Sequence, residues 1–301
     1  MIKKDHLSPR AREILALSTE ERIRHIQEDR WVGYTRANEV IAKLEDLLAH
    51  PKVGRMPNML IIGKTNNGKS HLVNHFLSLH PASDNPVGEG IIVPVLYIEA
   101  PDKPDISHLY GLILDMLNVP YKTHEKEEVK LAQVIKVLKS IDLGIIVIDE
   151  IHNLIAGSLI RQRAYLNGLR YLGNQIKRSI VGVGTVEALR AIQVDDQLSN
   201  RFAPEVLPTW QLDMEFLKLL ASLEKIIPLR SPSNLIEKPI AMKLHAMSEG
   251  TIGELSRLLN MAAIWAIRNT KAGDLEQIDE KALKECGFIQ PSLRKEQARK
   301  I

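Results

Sequence analysis

Apolar residues first recur at helical spacing ahead of residue 50, where Val40, Ile41, Leu44, Leu47 and Leu48 share one face. Thr35 is placed to cap that helix, and Pro51, Gly54 and Pro57 end it. Short continuous runs then take over at Met59–Ile62, Ile91–Ile98, Gly144–Ile148 and Ile180–Val183. Unbroken Val, Ile and Leu runs predict strands buried on both faces of a parallel sheet. Helical segments separate them, around residues 70–79, 106–118, 125–141 and 159–177. After Trp210 the strand signal stops. Asp213 is placed to cap a helix through Leu223, and Pro228, Pro232 and Pro239 mark a loop. Ile240, Leu244 and Met247, then Leu255, Leu258, Leu259, Ala262 and Ala266, return to helical spacing. The expected organisation is a charged helical arm over 1–33, an α/β domain over 34–210 and a small α-helical domain over 211–290. The last stretch, 291–301, carries Arg294, Lys295, Arg299 and Lys300 and reads as a loose basic tail.

Composition narrows the classes that fit. Apolar residues make up 45% of the 301, enough for a sizeable core and too many for wholesale disorder. Lys and Arg number 40 against 37 Asp and Glu, and a net charge of +3 does not by itself argue for a polyanionic partner. The single cysteine, Cys286, has no internal partner for a disulfide and suits a reducing compartment. No apolar run approaches the roughly 18 residues of a membrane span, and the first residues do not read as a signal peptide. Aromatic residues are scarce at 4%, which disfavours stacking platforms for single strands. A cytoplasmic protein without membrane partners is expected.

Two motifs carry the chemistry. Gly63-Lys64-Thr65-Asn66-Asn67-Gly68-Lys69-Ser70 fits G-x-x-x-x-G-K-[ST], between the Met59–Ile62 strand and the helix that opens at His71. Gly63 and Gly68 allow the tight backbone bends that point N–H groups at phosphate oxygens, and the helix N-terminus adds partial positive charge. Lys69 would reach the β- and γ-phosphates of ATP, and the Ser70 hydroxyl would ligate Mg²⁺. The candidate nucleotide contacts are Gly63, Thr65, Asn66, Asn67, Gly68, Lys69, Ser70 and His71. The second motif is Ile145-Ile146-Val147-Ile148-Asp149-Glu150, a buried strand ending in two carboxylates. Asp149 suits the Mg²⁺ shell and Glu150 the activation of attacking water. His71 and His75, four residues apart on a helix, have the spacing of zinc ligands but no third ligand group beside them.

These motifs, followed by Val181-Gly182-Val183-Gly184-Thr185, Asn200-Arg201-Phe202 and a helical lid, occur in the order seen in AAA+ ATPases. The chain most resembles the TniB family of transposition ATPases, relatives of TnsC. Trp31-Val32-Gly33-Tyr34-Thr35-Arg36-Ala37, Met56-Pro57-Asn58-Met59-Leu60 and Asp149-Glu150-Ile151-His152-Asn153 carry the resemblance. So do Gly184–Ala188, Arg201–Pro204 with Leu207–Trp210, and Ser248–Leu255, the whole spanning about residues 31–270. The resemblance implies an α/β AAA+ P-loop fold, a parallel sheet flanked by helices with a small α-helical lid. It gives Thr185 the sensor-1 position beside the γ-phosphate, although a simple helix cap would also explain that residue. It gives Arg201 the role of arginine finger toward a neighbouring subunit, and Tyr34 and Arg36 a place at the base. Tyr34 could equally be a core residue. One departure is that Gly253 stands where many AAA+ lids carry a sensor-2 Arg, and the next Arg is Arg257, one turn later.

The resemblance further implies a bacterial regulator of transposition that hydrolyses ATP. Such a protein assembles head to tail on duplex DNA, as a ring or helical filament, and presents that DNA to a transposase, with a target-selector protein as a further partner. In related rings the segment after the second strand faces the pore; here that segment contains Lys103, with Lys122 and Thr123 ahead of the next helix. Arg161, Arg163 and Arg170 form a second candidate set. The alternatives are a helicase loader or translocase motor, and a nucleotide-gated scaffold that does not touch DNA.

Overall fold

The computed structural model describes residues 6–86, 88, 90–193, 201–271 and 273–299. The chain begins with helices α1 (Pro9–Leu15), α2 (Thr19–Gln27) and α3 (Thr35–Leu48). Then come β1 (Asn58–Gly63), α4 (Lys69–Leu79), β2 (Ser83–Asp84), β3 (Ile91–Glu99), α5 (Ile106–Met116) and α6 (Glu127–Ser140). Strand β4 (Asp142–Asp149) leads through a 3-10 turn at Ile151–Ala156 into α7 (Leu159–Ile176), β5 (Ile180–Gly184), α8 (Val186–Gln193) and β6 (Phe202–Leu207). The remainder is helical: α9 (Met214–Ile226), α10 (Lys238–Ser248), α11 (Ile252–Asn269), α12 (Glu280–Glu285) and α13 (Pro291–Ala298). Two compact units result. One comprises Arg36–Thr65 and Lys69–Pro208, the other Met1–Thr35, Asn66–Gly68 and Thr209–Ile301.

The first unit is built on a six-stranded sheet of order β2-β3-β4-β5-β1-β6, parallel except for the β2–β3 pair. The four predicted strands all form. Ile145–Asp149 of β4 and all of β5 are buried, as helices on both faces require. Two strands escaped the sequence reading. The two-residue β2 is too short to leave a pattern, and β6 carries Pro204 and Glu205 inside Phe202–Leu207. Proline is tolerated there because β6 is an edge strand, paired only with β1. Glu205 is buried yet ionised. Burial would raise its pKa, but hydrogen bonds from Lys43 Nζ at 2.6 Å and Arg36 Nη2 at 2.7 Å hold it below the usual carboxylate range.

The second unit gathers both ends of the sequence. Ile23 and Ile26 of α2 pack in one core with Phe216, Leu219 and Leu220 of α9 and with Leu255, Leu258 and Leu259 of α11. Asp213 caps α9 as its position predicts, accepting a hydrogen bond from the Phe216 N–H at 3.0 Å. Ser18 and Glu21 form a capping box on α2, which fixes where that helix starts. Residues 291–298 form α13, where a loose tail was expected. Arg22 and Glu276 make a buried bidentate ion pair, only 2% and 6% exposed, and Arg22 also donates to the Pro228 carbonyl at 2.7 Å.

Removing one partner of such a pair leaves an uncompensated buried charge, which costs about 3–5 kcal/mol. Arg22→Met is therefore expected to lower the unfolding free energy of the helical unit by that amount in urea. The fluorescence of Trp31, Trp210 and Trp265 reports it, since all three lie in that unit. An unchanged transition would contradict the role given to this pair.

Candidate nucleotide site

Gly63 ends β1 and Lys69 opens α4, so the intervening loop joins a buried strand to a helix N-terminus. A Cβ on Gly63 would lie 3.1 Å from the Leu207 carbonyl oxygen and 3.3 Å from the Leu207 Cβ, tighter than a side chain accepts comfortably. Asn66 (φ 61°) and Gly68 (φ 81°) both occupy the left-handed region, which turns the loop back on itself. Alternation of this kind curls successive N–H groups toward one concave face, a conformation suited to anions. Lys69 is buried, and its ammonium donates to the carbonyls of Gly63 at 3.0 Å and Lys64 at 2.9 Å. Burial lowers the Lys69 pKa, while Glu150 and Asp149 raise it, which puts both carboxylates in the surroundings of the ammonium. Ser70 follows it on α4, half-buried, with His71 next.

Asp149 ends β4, 2% exposed. One of its oxygens accepts from the Tyr97 hydroxyl at 3.0 Å and the other from the Glu150 N–H at 2.7 Å. Burial, with Asp149 beside it, pushes the Tyr97 phenol well above its ordinary pKa, so it stays a donor. Tyr97 was not singled out from the sequence. Its role depends on the β3–β4 register, in which Glu99 pairs with Asp149 and Tyr97 stands two residues back on the same face, and that register leaves no local pattern. Glu150 has left-handed backbone (φ 52°), which turns it off the strand, and its Oε2 lies 3.2 Å from His152 Nδ1.

Other predicted residues fall in several places. Thr185 follows the last residue of β5 and its carbonyl accepts from the Ala188 N–H at 3.0 Å, opening α8. Arg201 stands just before β6 and donates to Asn174 Oδ1 at 2.7 Å, with Arg55 and Arg170 nearby. Burial, then those two cations, lowers its pKa from the usual arginine value. Its motif neighbour Asn200 lies outside the described residues. Arg36 is engaged by Glu39, Glu205 and the Val206 carbonyl, while Tyr34 meets Trp210 edge-on at 4.9 Å. Those contacts are the ones a structural role for each would make. Lys103, Lys122 and Thr123 are all exposed. Lys130 Nζ donates to the Thr123 carbonyl at 2.8 Å and to Ser107 Oγ at 3.3 Å, so the Thr123 loop lies beside the start of α5, which the Lys103 loop feeds. Among the described residues no cluster of three His, Cys, Asp or Glu could hold a metal, and no helix is long and apolar enough to cross a membrane.

Within the helical unit, which includes the loop tip Asn66–Gly68, Asn66 accepts at its carbonyl from the Gly253 N–H at 3.0 Å. Its side-chain amide donates to Glu254 Oε1 at 2.9 Å. Arg294 of α13 pairs with the other oxygen of Glu254 at 2.5 Å. Neither Glu254 nor Arg294 was selected from sequence as a site residue, because a contact between positions so distant in the chain leaves no local pattern.

The donors suit a nucleotide phosphate with a divalent cation. A curled loop of backbone N–H groups precedes a buried lysine and a helix-opening serine hydroxyl, and two carboxylates stand at the end of β4, separated from β1 in the sheet by β5. A parallel sheet with this loop after one strand and Asp-Glu after another, followed by helices, defines a P-loop ATPase of the AAA+ class. The family profile described as "Bacterial TniB protein" matches residues 22–212, and the chain belongs to that family. Solved structures of similar fold include the Aeropyrum pernix ORC2 protein with ADPNP and ADP, at TM-score 0.59 and 16% identity over 92% of this chain and 74% of that one. Cdc6p from Pyrobaculum aerophilum matches at TM-score 0.58 and 14% identity, over 89% of this chain and 73% of that one. The Aeropyrum pernix ORC1 protein in complex with DNA matches at TM-score 0.55 and 16% identity, over 88% and 68%. A search of curated proteins by sequence gives no match.

A hydrogen bond to a charged acceptor contributes about 1.5–3 kcal/mol, and the one from Tyr97 holds Asp149 in place. Tyr97→Phe is expected to lower the ATPase kcat about tenfold while nucleotide affinity changes by less than about threefold. Steady-state kinetics beside equilibrium nucleotide binding separates the two. A kcat equal to wild type would remove Tyr97 from the site.

Proposed function

We propose that this protein is an ATP-dependent regulator of DNA transposition that assembles head to tail on duplex DNA, without strong sequence preference, and presents that DNA to a transposase. The observation that carries the reading is Lys69 with Asp149 and Glu150 in its surroundings, in a chain of the TniB family. The loop N–H groups and Lys69 bind the β- and γ-phosphates of ATP, with Gly63, Thr65, Asn66, Asn67, Gly68 and His71 around them. Tyr34 and Arg36 flank the base. Ser70 and Asp149 hold Mg²⁺, which when bound neutralises charge on the phosphate oxygens. Glu150 takes the proton of the attacking water, and Thr185 orients that water or the γ-phosphate. Arg201 reaches the γ-phosphate held by the next copy, so hydrolysis depends on assembly.

Head-to-tail contacts are heterologous and yield rings or open helical filaments. Lys103, Lys122 and Thr123 contact the DNA backbone, which needs only cations and hydroxyls and reads no bases. Hydrolysis weakens the ATP-bridged contacts and releases the assembly. A target-selector protein completes the set of partners. Two DNA-bound structures of similar fold, one of Aeropyrum pernix ORC1 and one of Drosophila ORC, are in keeping with a role on DNA.

Two variants separate binding from chemistry. Lys69→Ala is expected to lose nucleotide retention, whereas Glu150→Gln keeps ATP bound, nearly stops hydrolysis and accumulates on duplex DNA. ATP turnover by Glu150→Gln at the wild-type rate would remove it as the base. Continuous turnover coupled to strand separation would favour a motor, and absence of ATP-dependent DNA retention a scaffold.

Arg201 is tested by mixing. Fingers of this kind contribute on the order of 10³–10⁵ in rate in other P-loop enzymes. Arg201→Ala is expected to bind ATP but not hydrolyse it. Adding Lys69→Ala, which lacks nucleotide but offers its own Arg201, should restore part of the activity. No recovery in mixtures shown to co-assemble would exclude action in trans.

A further inference from the structure

We infer that Gly253, Glu254 and Arg294 of the helical unit are positioning residues for nucleotide binding: they orient a donor of the phosphate loop and shield it from a buried carboxylate. The inference rests on the nucleotide reading of Gly63–Ser70 and adds three residues that no part of that motif contains.

The Asn66 carbonyl accepts from the Gly253 N–H at 3.0 Å. Because a trans peptide is planar, with its C=O and N–H antiparallel, fixing that carbonyl on α11 turns the Asn67 N–H the opposite way. An N–H held there in advance costs no reorganisation when a phosphate oxygen arrives. The left-handed φ of Asn66 sets up this orientation, and its side chain secures it by donating to Glu254 Oε1 at 2.9 Å.

Gly253 is there for space. Its φ is not in the left-handed region, yet a Cβ at this position would lie 2.0 Å from Asn66 Oδ1 and 2.8 Å from the Asn66 carbonyl oxygen. Any larger residue displaces the loop tip. This accounts for a glycine at the position where many AAA+ lids carry an arginine: the loop occupies the volume that a side chain would need.

Glu254 poses an electrostatic problem. A buried carboxylate bonded to the tip of a phosphate loop repels the triphosphate the loop receives. Arg294 offsets it, its guanidinium 2.5 Å from Glu254 Oε2. The cation is brought there by α13, whose N-terminal turn is tied down by the Ser292 N–H donating to Glu249 Oε1 at 2.8 Å. The C-terminal helix thus tunes the charge seen by the nucleotide.

Neutralising each charge singly and both together tests this. Binding of a fluorescent ATP analogue with Mg²⁺ is measured for wild type, Arg294→Gln, Glu254→Gln and the double variant, with thermal unfolding as a check on the fold. Arg294→Gln is expected to weaken binding about tenfold or more, since the carboxylate is then unopposed. The double variant should bind within about twofold of Glu254→Gln alone, and Arg294→Lys should restore most of the affinity. KM for ATP should rise in Arg294→Gln with kcat within about threefold of wild type. A purely structural role for Arg294 would leave the double variant no better than Arg294→Gln. That result would overturn the inference, as would wild-type affinity in Arg294→Gln. Failure of the wild-type protein to bind the analogue would overturn the nucleotide reading and this inference together; indifferent variants of a binding-competent protein would overturn this inference alone.

Discussion

Burial of β1 on both faces, between β5 and β6, is the constraint from which the arrangement of the site follows. Met59–Ile62 pair in parallel with Val181–Gly184, and Asn58–Gly63 with Phe202–Leu207. In the next rung of the same sheet Ile148 pairs with Gly182. Parallel pairing puts the carboxyl ends of all these strands at one edge of the sheet, where ligands of open α/β folds bind. Gly63, Asp149 and Thr185 therefore arrive at the same edge because hydrophobic runs were buried in register. Gly63 and Asp149 are the last buried residues of their strands, so strand pairing itself sets where they stand.

The charges at that edge are arranged so that each holds another in its working state. Tyr97 remains a phenol because it is buried beside Asp149, and its proton steadies the carboxylate. Lys69 loses some basicity to burial and regains it from Asp149 and Glu150. In the helical unit Glu254 anchors the loop tip through Asn66 and is itself balanced by Arg294. Breaking one member of these pairs leaves the other exposed to the full cost of a buried charge.

Much of the fold was legible because strands buried on both faces leave unbroken apolar runs. The four long central strands were found to within two residues, as were the capping by Asp213 and the motif positions of Lys69 and Asp149. Strand β6 was hidden by Pro204 and by Glu205, whose burial depends on Lys43 and Arg36 far away in sequence. The pairing of α2 with the C-terminal helices was equally hidden, since Arg22 and Glu276 are ordinary surface residues until the core brings them together. For the site, local motifs exposed the phosphate loop and the strand-end carboxylates. Tyr97, Glu254 and Arg294 act through contacts across elements, and no spacing rule points to them.

In the proposed function, bound ATP organises copies of this chain around duplex DNA. Electron microscopy of the protein with duplex DNA and a non-hydrolysable ATP analogue tests it most directly. Ordered rings or filaments enclosing the duplex are expected, lost when the nucleotide is omitted or Lys69 is replaced by Ala. Isolated particles with bare DNA, or the same assemblies without nucleotide, would contradict it.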